Sequence, residues 1–203
     1  RDGKPVIGIG GAGGRRIPNA LFEVLTQFLL NGKSLGKRTK NPNAEVIRDR
    51  YALRWLDVPY QPGEVKAVAY QNGHKLGSAV MRTAGEPAKL RLTPDRKSLK
   101  ADGEDLSYLL VEAVDKDGNL CPLAMNEVKF KLEGAATIAG VGNGDHHFPA
   151  EFAADHVMLF YGKAMVIVRA TEGNGSSIRV TAASDGLRKA EASLRSHRGG
   201  GGL

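Results

Sequence analysis

The chain of 203 residues is 41% hydrophobic and 25% charged, the composition of an ordinary folded protein with apolar residues enough for a core. Its net charge of +7 is scattered among acids, and its aromatic residues do not alternate with basic ones as a base-stacking platform would, so nucleic acid is not an expected partner. The longest apolar run, Ala20 to Leu30, is broken by Glu23, Thr26 and Gln27; this excludes a membrane span of roughly 20 apolar residues, and neither a membrane partner nor a signal peptide is expected.

At the amino-terminal end, Lys4-Pro5-Val6-Ile7 leads into Gly8-Ile9-Gly10-Gly11-Ala12-Gly13 and then Ile17 to Leu30, which reads as amphipathic. Gly8, Gly10 and Gly13 match the G-x-G-x-x-G pattern, in which backbone amides and a helix start cradle a pyrophosphate. The acid expected about twenty residues later is missing, because Lys33 and Lys37 occupy that stretch and Glu45 falls too late. No further strand–helix units follow. Residues 1–28 are therefore expected to be a glycine-rich leading segment and no cofactor is expected, with nucleotide binding through Gly8, Gly10 and Gly13 as the lesser alternative.

From Tyr51 onward the pattern is that of strands and turns. Tyr51 to Val58 alternates with period two, which predicts a strand with Tyr51, Leu53 and Trp55 on a core face, ended by Pro59. Glu64 to Tyr70 and Lys75 to Arg82 flank Asn72-Gly73, whose readiness for positive φ predicts a tight hairpin. Thr83-Ala84-Gly85-Glu86-Pro87 breaks the pattern and is the expected domain boundary. Beyond it, strands are predicted over Ala88–Thr93, Leu106–Val114, Val128–Leu132, Ala135–Val141, Lys163–Thr171, Ser177–Ala183 and Lys189–Arg195. Short strands at such spacing, with Asp-Gly and Gly-Asn-Gly turns between them, predict an all-β, immunoglobulin-like sandwich over residues 85–195, with a flexible tail over 196–203.

Few residues carry chemistry. Cys121 has no base near it in sequence and reads as a buried thiol. Asp115-Lys116-Asp117-Gly118-Asn119 resembles the start of a calcium loop, but Leu120 and Asn126 stand where that loop needs glycine and glutamate, so a turn is expected. Asn143, Asp145, His146 and His147 form a polar loop near Glu151, Asp155 and His156. Adjacent histidines on a strand point to opposite faces, so a shared metal would require irregular backbone; a solvated or inter-domain loop is expected, and no metal ligand is assigned. Trp55 and Tyr60 are the candidate sugar contacts, Tyr60 between two prolines being the more exposed of the two by sequence.

Leu29-Leu30-Asn31-Gly32-Lys33-Ser34-Leu35-Gly36 resembles the F-L-N-G-K-S-L-G hairpin of C-terminal modules in glycoside hydrolase family 2. Trp55 to Tyr70 resembles that family's W-x-V-P-Y-x-P-G-x-L-x-A-V-A-Y block, and Thr83 to Pro87 its T-A-G-x-P junction. Asp102 to Tyr108, Val114 to Asn119, Gly140 to Asp145 and Tyr161 to Ala164 fit its last immunoglobulin-like module, so the resemblance covers about Leu29 to Leu194. Arg15 to Gln27 departs from it. The resemblance implies two immunoglobulin-like sandwich modules, over 29–84 and 85–195, the first truncated or irregular at its amino-terminal end. It also implies a parent enzyme of the β-galactosidase type, periplasmic or extracellular, whose two catalytic carboxylates lie on a separate (β/α)8 barrel. No catalytic residue is expected in this chain, its partner is that barrel on the same parent chain, carbohydrate is a second candidate partner, and an oligomer contact is left open.

Overall fold

A computed structural model describes residues 24–147 and 151–198. The glycines Gly8, Gly10 and Gly13, and residues 199–203 of the expected tail, lie outside the described residues; Ser196 and His197, expected in that tail, belong instead to the last strand, where Ser196 is buried. The chain divides between Thr83 and Ala84 into two compact units.

The first unit contains β1 (Leu25–Leu30), β2 (Lys33–Thr39), a five-residue helix α1 (Ile47–Tyr51), β3 (Glu64–Gln71) and β4 (His74–Arg82). The strands form one antiparallel sheet in the order β2-β1-β3-β4. Two of its hairpins turn on Asn-Gly pairs with positive φ at both residues, 49° and 79° at Asn31-Gly32 and 50° and 80° at Asn72-Gly73. This is the primed turn whose twist matches that of the flanking strands, and only Asn and Gly enter it cheaply. Phe28 lies opposite Ala67 and Leu30 opposite Val65, and both β1 side chains are buried. The expected irregular first module is thus, in its described residues, a single sheet, with Trp55 stacked on Phe28 at 4.9 Å between ring centroids.

Two expectations fail here. Residues 25–28, expected to belong to the leading segment, form with Leu29 and Leu30 the inner strand β1, so the described part of Ile17 to Leu30 is extended. Tyr51 to Val58 is not a strand: Tyr51 ends α1, and the segment after it joins no sheet. The turn is closed instead by Arg54, which holds both oxygens of Asp49 at 2.8 Å, and by Arg50 Nε, which donates to the Ala44 carbonyl at 2.7 Å. An extended segment laid on a sheet's face alternates as a strand does, which is why the period misled. Tyr51, expected in the core, is 70% exposed.

The second unit contains β5 (Lys89–Pro94), β6 (Ser98–Lys100), β7 (Leu106–Val114), β8 (Glu127–Glu133), β9 (Ala136–Gly142), β10 (His156–Met158), β11 (Lys163–Ala170), β12 (Ser177–Ser184) and β13 (Leu187–His197). One layer runs β9-β11-β7-β5, the other β10-β8-β12-β13-β6. The first strand changes layers, β5 pairing antiparallel with β7 and β6 parallel with β13, while Arg188 beside Lys89 links the layers along one edge. This is the immunoglobulin-like arrangement.

Inward rows cross each layer in register: Leu92–Val111–Ala164 and Val141–Val166–Leu109 in one, Leu132–Val180–Ala192 and Phe130–Ala182–Ala190 in the other. Leu109, Val111, Val166, Ile178 and Val180 are fully buried and belong to one apolar cluster. At the Tyr161-Gly162 turn, φ is 49° and 73°, and a Cβ on Gly162 would run into the Cys121 carbonyl oxygen, so the glycine is required there. Among the described residues no helix is long and apolar enough to cross a membrane.

Truncating the core should separate the two faces of β7 and β11. Leu109→Ala is expected to cost about 2–5 kcal/mol in denaturant unfolding, whereas Met165→Ala, on the outward face of β11, should cost about 1 kcal/mol or less.

Candidate functional site

The residues of the first unit that stand out in sequence meet at one turn. Asn31 Oδ1 accepts from the Glu64 N–H at 2.7 Å, its Nδ2 donates to the Pro62 carbonyl at 3.0 Å, and its own N–H donates to the Glu64 carbonyl at 2.8 Å. Gly63, at φ 130°, lies so close to the Asn31 amide that a Cβ would collide with it. From the other side, Thr83 Oγ1 accepts the Gly63 N–H at 3.1 Å and Thr83 N–H donates to the Gly63 carbonyl at 2.9 Å. The Asn-Gly, Pro-Gly and Thr motifs are thus one clamp that ties the β1–β2 hairpin to the start of β3 and the end of β4.

The two aromatic candidates sit differently. Trp55 packs against Phe28 with an interplanar angle of 25°, and the Arg38 guanidinium lies 5.7 Å from its ring centroid. Its Nε1 is buried and meets no acceptor among the described residues. Tyr60 is 62% exposed, with its hydroxyl 3.5 Å from Thr83 Oγ1. The structure does not bring the two rings into a shared ring contact.

In the second unit, Asp115 gathers the equivalent contacts. One oxygen accepts from the N–H groups of Asp117 at 2.9 Å and Asn119 at 2.8 Å; the other accepts from the Gly85 N–H at 2.9 Å and Asn119 Nδ2 at 3.0 Å. These donors, Gly85 and Asn119 foremost, hold its carboxyl down at about 2. Cys121 is buried with its Sγ 3.4 Å from the Gly85 carbonyl; burial pushes the thiol up, and the charges of Asp115 and Glu86 add to this. A buried thiol that keeps its proton is a poor nucleophile.

The 143–147 loop follows β9. Asn143 Nδ2 donates to the Met158 carbonyl at 3.0 Å, Asn143 Oδ1 accepts from Asp145 N–H at 2.9 Å, and Asp145 Oδ1 accepts from His147 N–H at 3.0 Å. The backbone is irregular, and the imidazoles of His146 and His147 lie side by side with centroids 3.7 Å apart. Asp155 and His156 pair separately at 3.0 Å.

The carboxylates work as acceptors. Asp102 is held low chiefly by the Glu104 and Asp105 N–H groups, and Glu133, Asp155 and Glu191 by Lys131, His156 and Lys189 respectively. Burial alone would raise Asp95, but the Tyr108 N–H and Ser107 hydroxyl outweigh it and hold it low. A glycosidic general acid needs the opposite displacement, upward toward neutrality. Glu112, largely buried, is engaged by Arg91 at 2.9 Å and Lys163 at 3.8 Å. These groups order turns and strand edges.

Removing the Asn31 amide in Asn31→Ala deletes two hydrogen bonds and should cost about 1–3 kcal/mol, at roughly 0.5–1.5 kcal/mol each, read from thermal unfolding. For Asp115 the folded value of about 2 lies below the ordinary 3.8, so its contribution is complete above both values and is lost as pH falls between them. Asp115→Asn is therefore expected to melt several degrees lower at neutral pH, and this difference should narrow as acid is added toward pH 2.

Residues 90–193 match the family described as Glycoside hydrolase family 2 C-terminal domain 5. Residues 21–77 match a Domain of unknown function (DUF4982). The chain is 40% identical over 164 residues to Beta-galactosidase BoGH2A of Bacteroides ovatus, which covers 81% of this chain and 18% of that protein. It is 30% identical over 116 residues to a Beta-glucuronidase of Formosa agariphila, covering 56% of this chain and 11% of that protein. A glycosyl hydrolase family 2 member from Bacteroides cellulosilyticus superposes with TM-score 0.75 at 33% identity, over 90% of this chain and 24% of that one. The chain thus spans under a quarter of the length of these relatives.

Proposed function

Because the chain belongs to the Glycoside hydrolase family 2 C-terminal domain 5 family, we propose that it is the non-catalytic C-terminal region of a glycosidase of the β-galactosidase type. The parent enzyme hydrolyses terminal β-galactosides, and the β-galactosidase relative, at 40% identity against 30% for the β-glucuronidase, supports that choice of sugar. The observation that carries the non-catalytic role is the way the acids are used. Asp95, Asp102 and Asp115 accept hydrogen bonds from backbone N–H groups and, for Asp95 and Asp115, also from side-chain donors, which favours their anions where a retaining pair would need one protonated acid and one nucleophile about 5–5.5 Å apart.

In this reading both units are rigid accessory modules of one parent chain. Their partner is its catalytic barrel, and their role is architectural support and shaping of substrate access. The setting of the parent is periplasmic or extracellular. A direct sugar contact is the second reading: Tyr60, exposed and braced at its hydroxyl by Thr83, offers a ring for an apolar pyranose face.

The test compares hydrolysis of chromogenic β-galactoside and β-glucuronide by this chain and by the parent enzyme including its barrel. The chain alone should be silent, and the parent should turn over the galactoside in preference. Turnover by the chain alone would overturn the proposal and direct mutagenesis to Asp145, Glu151 and Asp155. Preference of the parent for the glucuronide would move the substrate class while leaving the accessory role standing.

A further inference from the structure

The loop that leaves β9 starts at the edge of one layer of the sandwich, and β10 lies at the edge of the other. Asn143 sets its course by bonding the Met158 carbonyl with one end of its amide and the Asp145 N–H with the other. Asp145 in turn accepts the His147 N–H through Oδ1, which leaves Oδ2 without a bond from that turn. On a regular strand His146 and His147 would point apart; here the turn swings them to the same side, with ring centroids 3.7 Å apart and His147 Nδ1 3.6 Å from Asp145 Oδ1. One donor atom from each of Asp145, His146 and His147 lies within 4.8 Å of the others.

We propose that Asp145, His146 and His147 form a three-ligand site for a divalent transition-metal ion of the zinc type. Two imidazole nitrogens and one carboxylate oxygen are the donors that suit Zn²⁺, Co²⁺, Ni²⁺ or Cu²⁺, whereas Mg²⁺ and Ca²⁺ take oxygen ligands. Ligands about 2.0–2.1 Å from a tetrahedral ion stand about 3.4 Å from one another. Both imidazoles are exposed and Asp145 is half-buried, so small side-chain rotations close the present spacing without moving the backbone. The remaining coordination position is filled by water. Asn143 is a positioning residue, since it holds the turn from which the ligands project. A bound ion would fix the conformation of this turn, a role independent of the parent's glycosidase activity.

The experiment is calorimetric titration of Zn²⁺ alone into this chain, metal-stripped and free of any affinity tag, with visible absorption of added Co²⁺ as a second readout of coordination. One ion per chain is expected. His146→Ala and His147→Ala should each weaken binding by at least about tenfold, the loss that even an outer-shell change causes, and the double variant should abolish it. His74→Ala and His197→Ala should leave it unchanged, with circular dichroism verifying the fold of every variant. Absence of saturable binding would overturn the proposal, as would binding that survives in the double variant. Binding lost instead in His156→Ala would also overturn it, placing the ion at Asp155 and His156.

Discussion

The carboxylate of Asp115 accepts hydrogen bonds from the backbone of Gly85, Asp117 and Asn119 and from the Asn119 side chain. It stands at the end of β7, a strand paired on both sides within its layer, so it fixes that strand's exit turn and the chain's approach to β5 with one group. Cys121, beside the Gly85 carbonyl, and Gly162, pressed against the Cys121 carbonyl, extend the same cluster to the start of β11. Backbone donors at a sandwich end have no ladder to join, and one left without a partner weakens the turn it belongs to. A single anion that accepts several of them avoids this where three strands end.

The first unit solves the same problem with a neutral group. Asn31 offers both a donor and an acceptor, so its amide can bridge Pro62 and Glu64 while its own backbone occupies the positive-φ position of a hairpin turn. Asp could not replace it fully, because a carboxylate cannot donate to the Pro62 carbonyl. Both units thus devote their most distinctive polar residues to turns. This suits an accessory module: rigidity from an apolar interior and closed ends, with Asp95, Asp102 and Asp115 held low by the donors around them.

Much of this was legible in the amino-acid order because the determinants are local. Asn72-Gly73 between two alternating runs leads to the β3–β4 hairpin, and Val128 to Leu132 alternates as a strand with one face buried must. β6 and β10, three residues each, carry no period of their own; they are strands only because β13 and β8 pair with them. Tyr51 to Val58 shows the reverse case, an alternating segment that finds no strand partner. Its Trp55 instead stacks face-on against Phe28 from β1.

The candidate site followed the same division. The loop at 143–147 was visible as a run of glycine, asparagine and aspartate, and the ligating types of Asp145, His146 and His147 were plain in the order of residues. Their convergence was not, since period-two geometry sends adjacent side chains apart and only the Asn143 and Asp145 turns reverse that. By itself, the sequence determined the all-β class, the main hairpins and strands of the sandwich, and the family motifs, all of which depend on neighbours a few residues away. The tertiary structure decided that Asn31 and Asp115 are clamps and that Trp55 packs against Phe28. It also decided that two adjacent histidines share one side of a loop. Each of those depends on groups brought together across the fold, which no local period encodes.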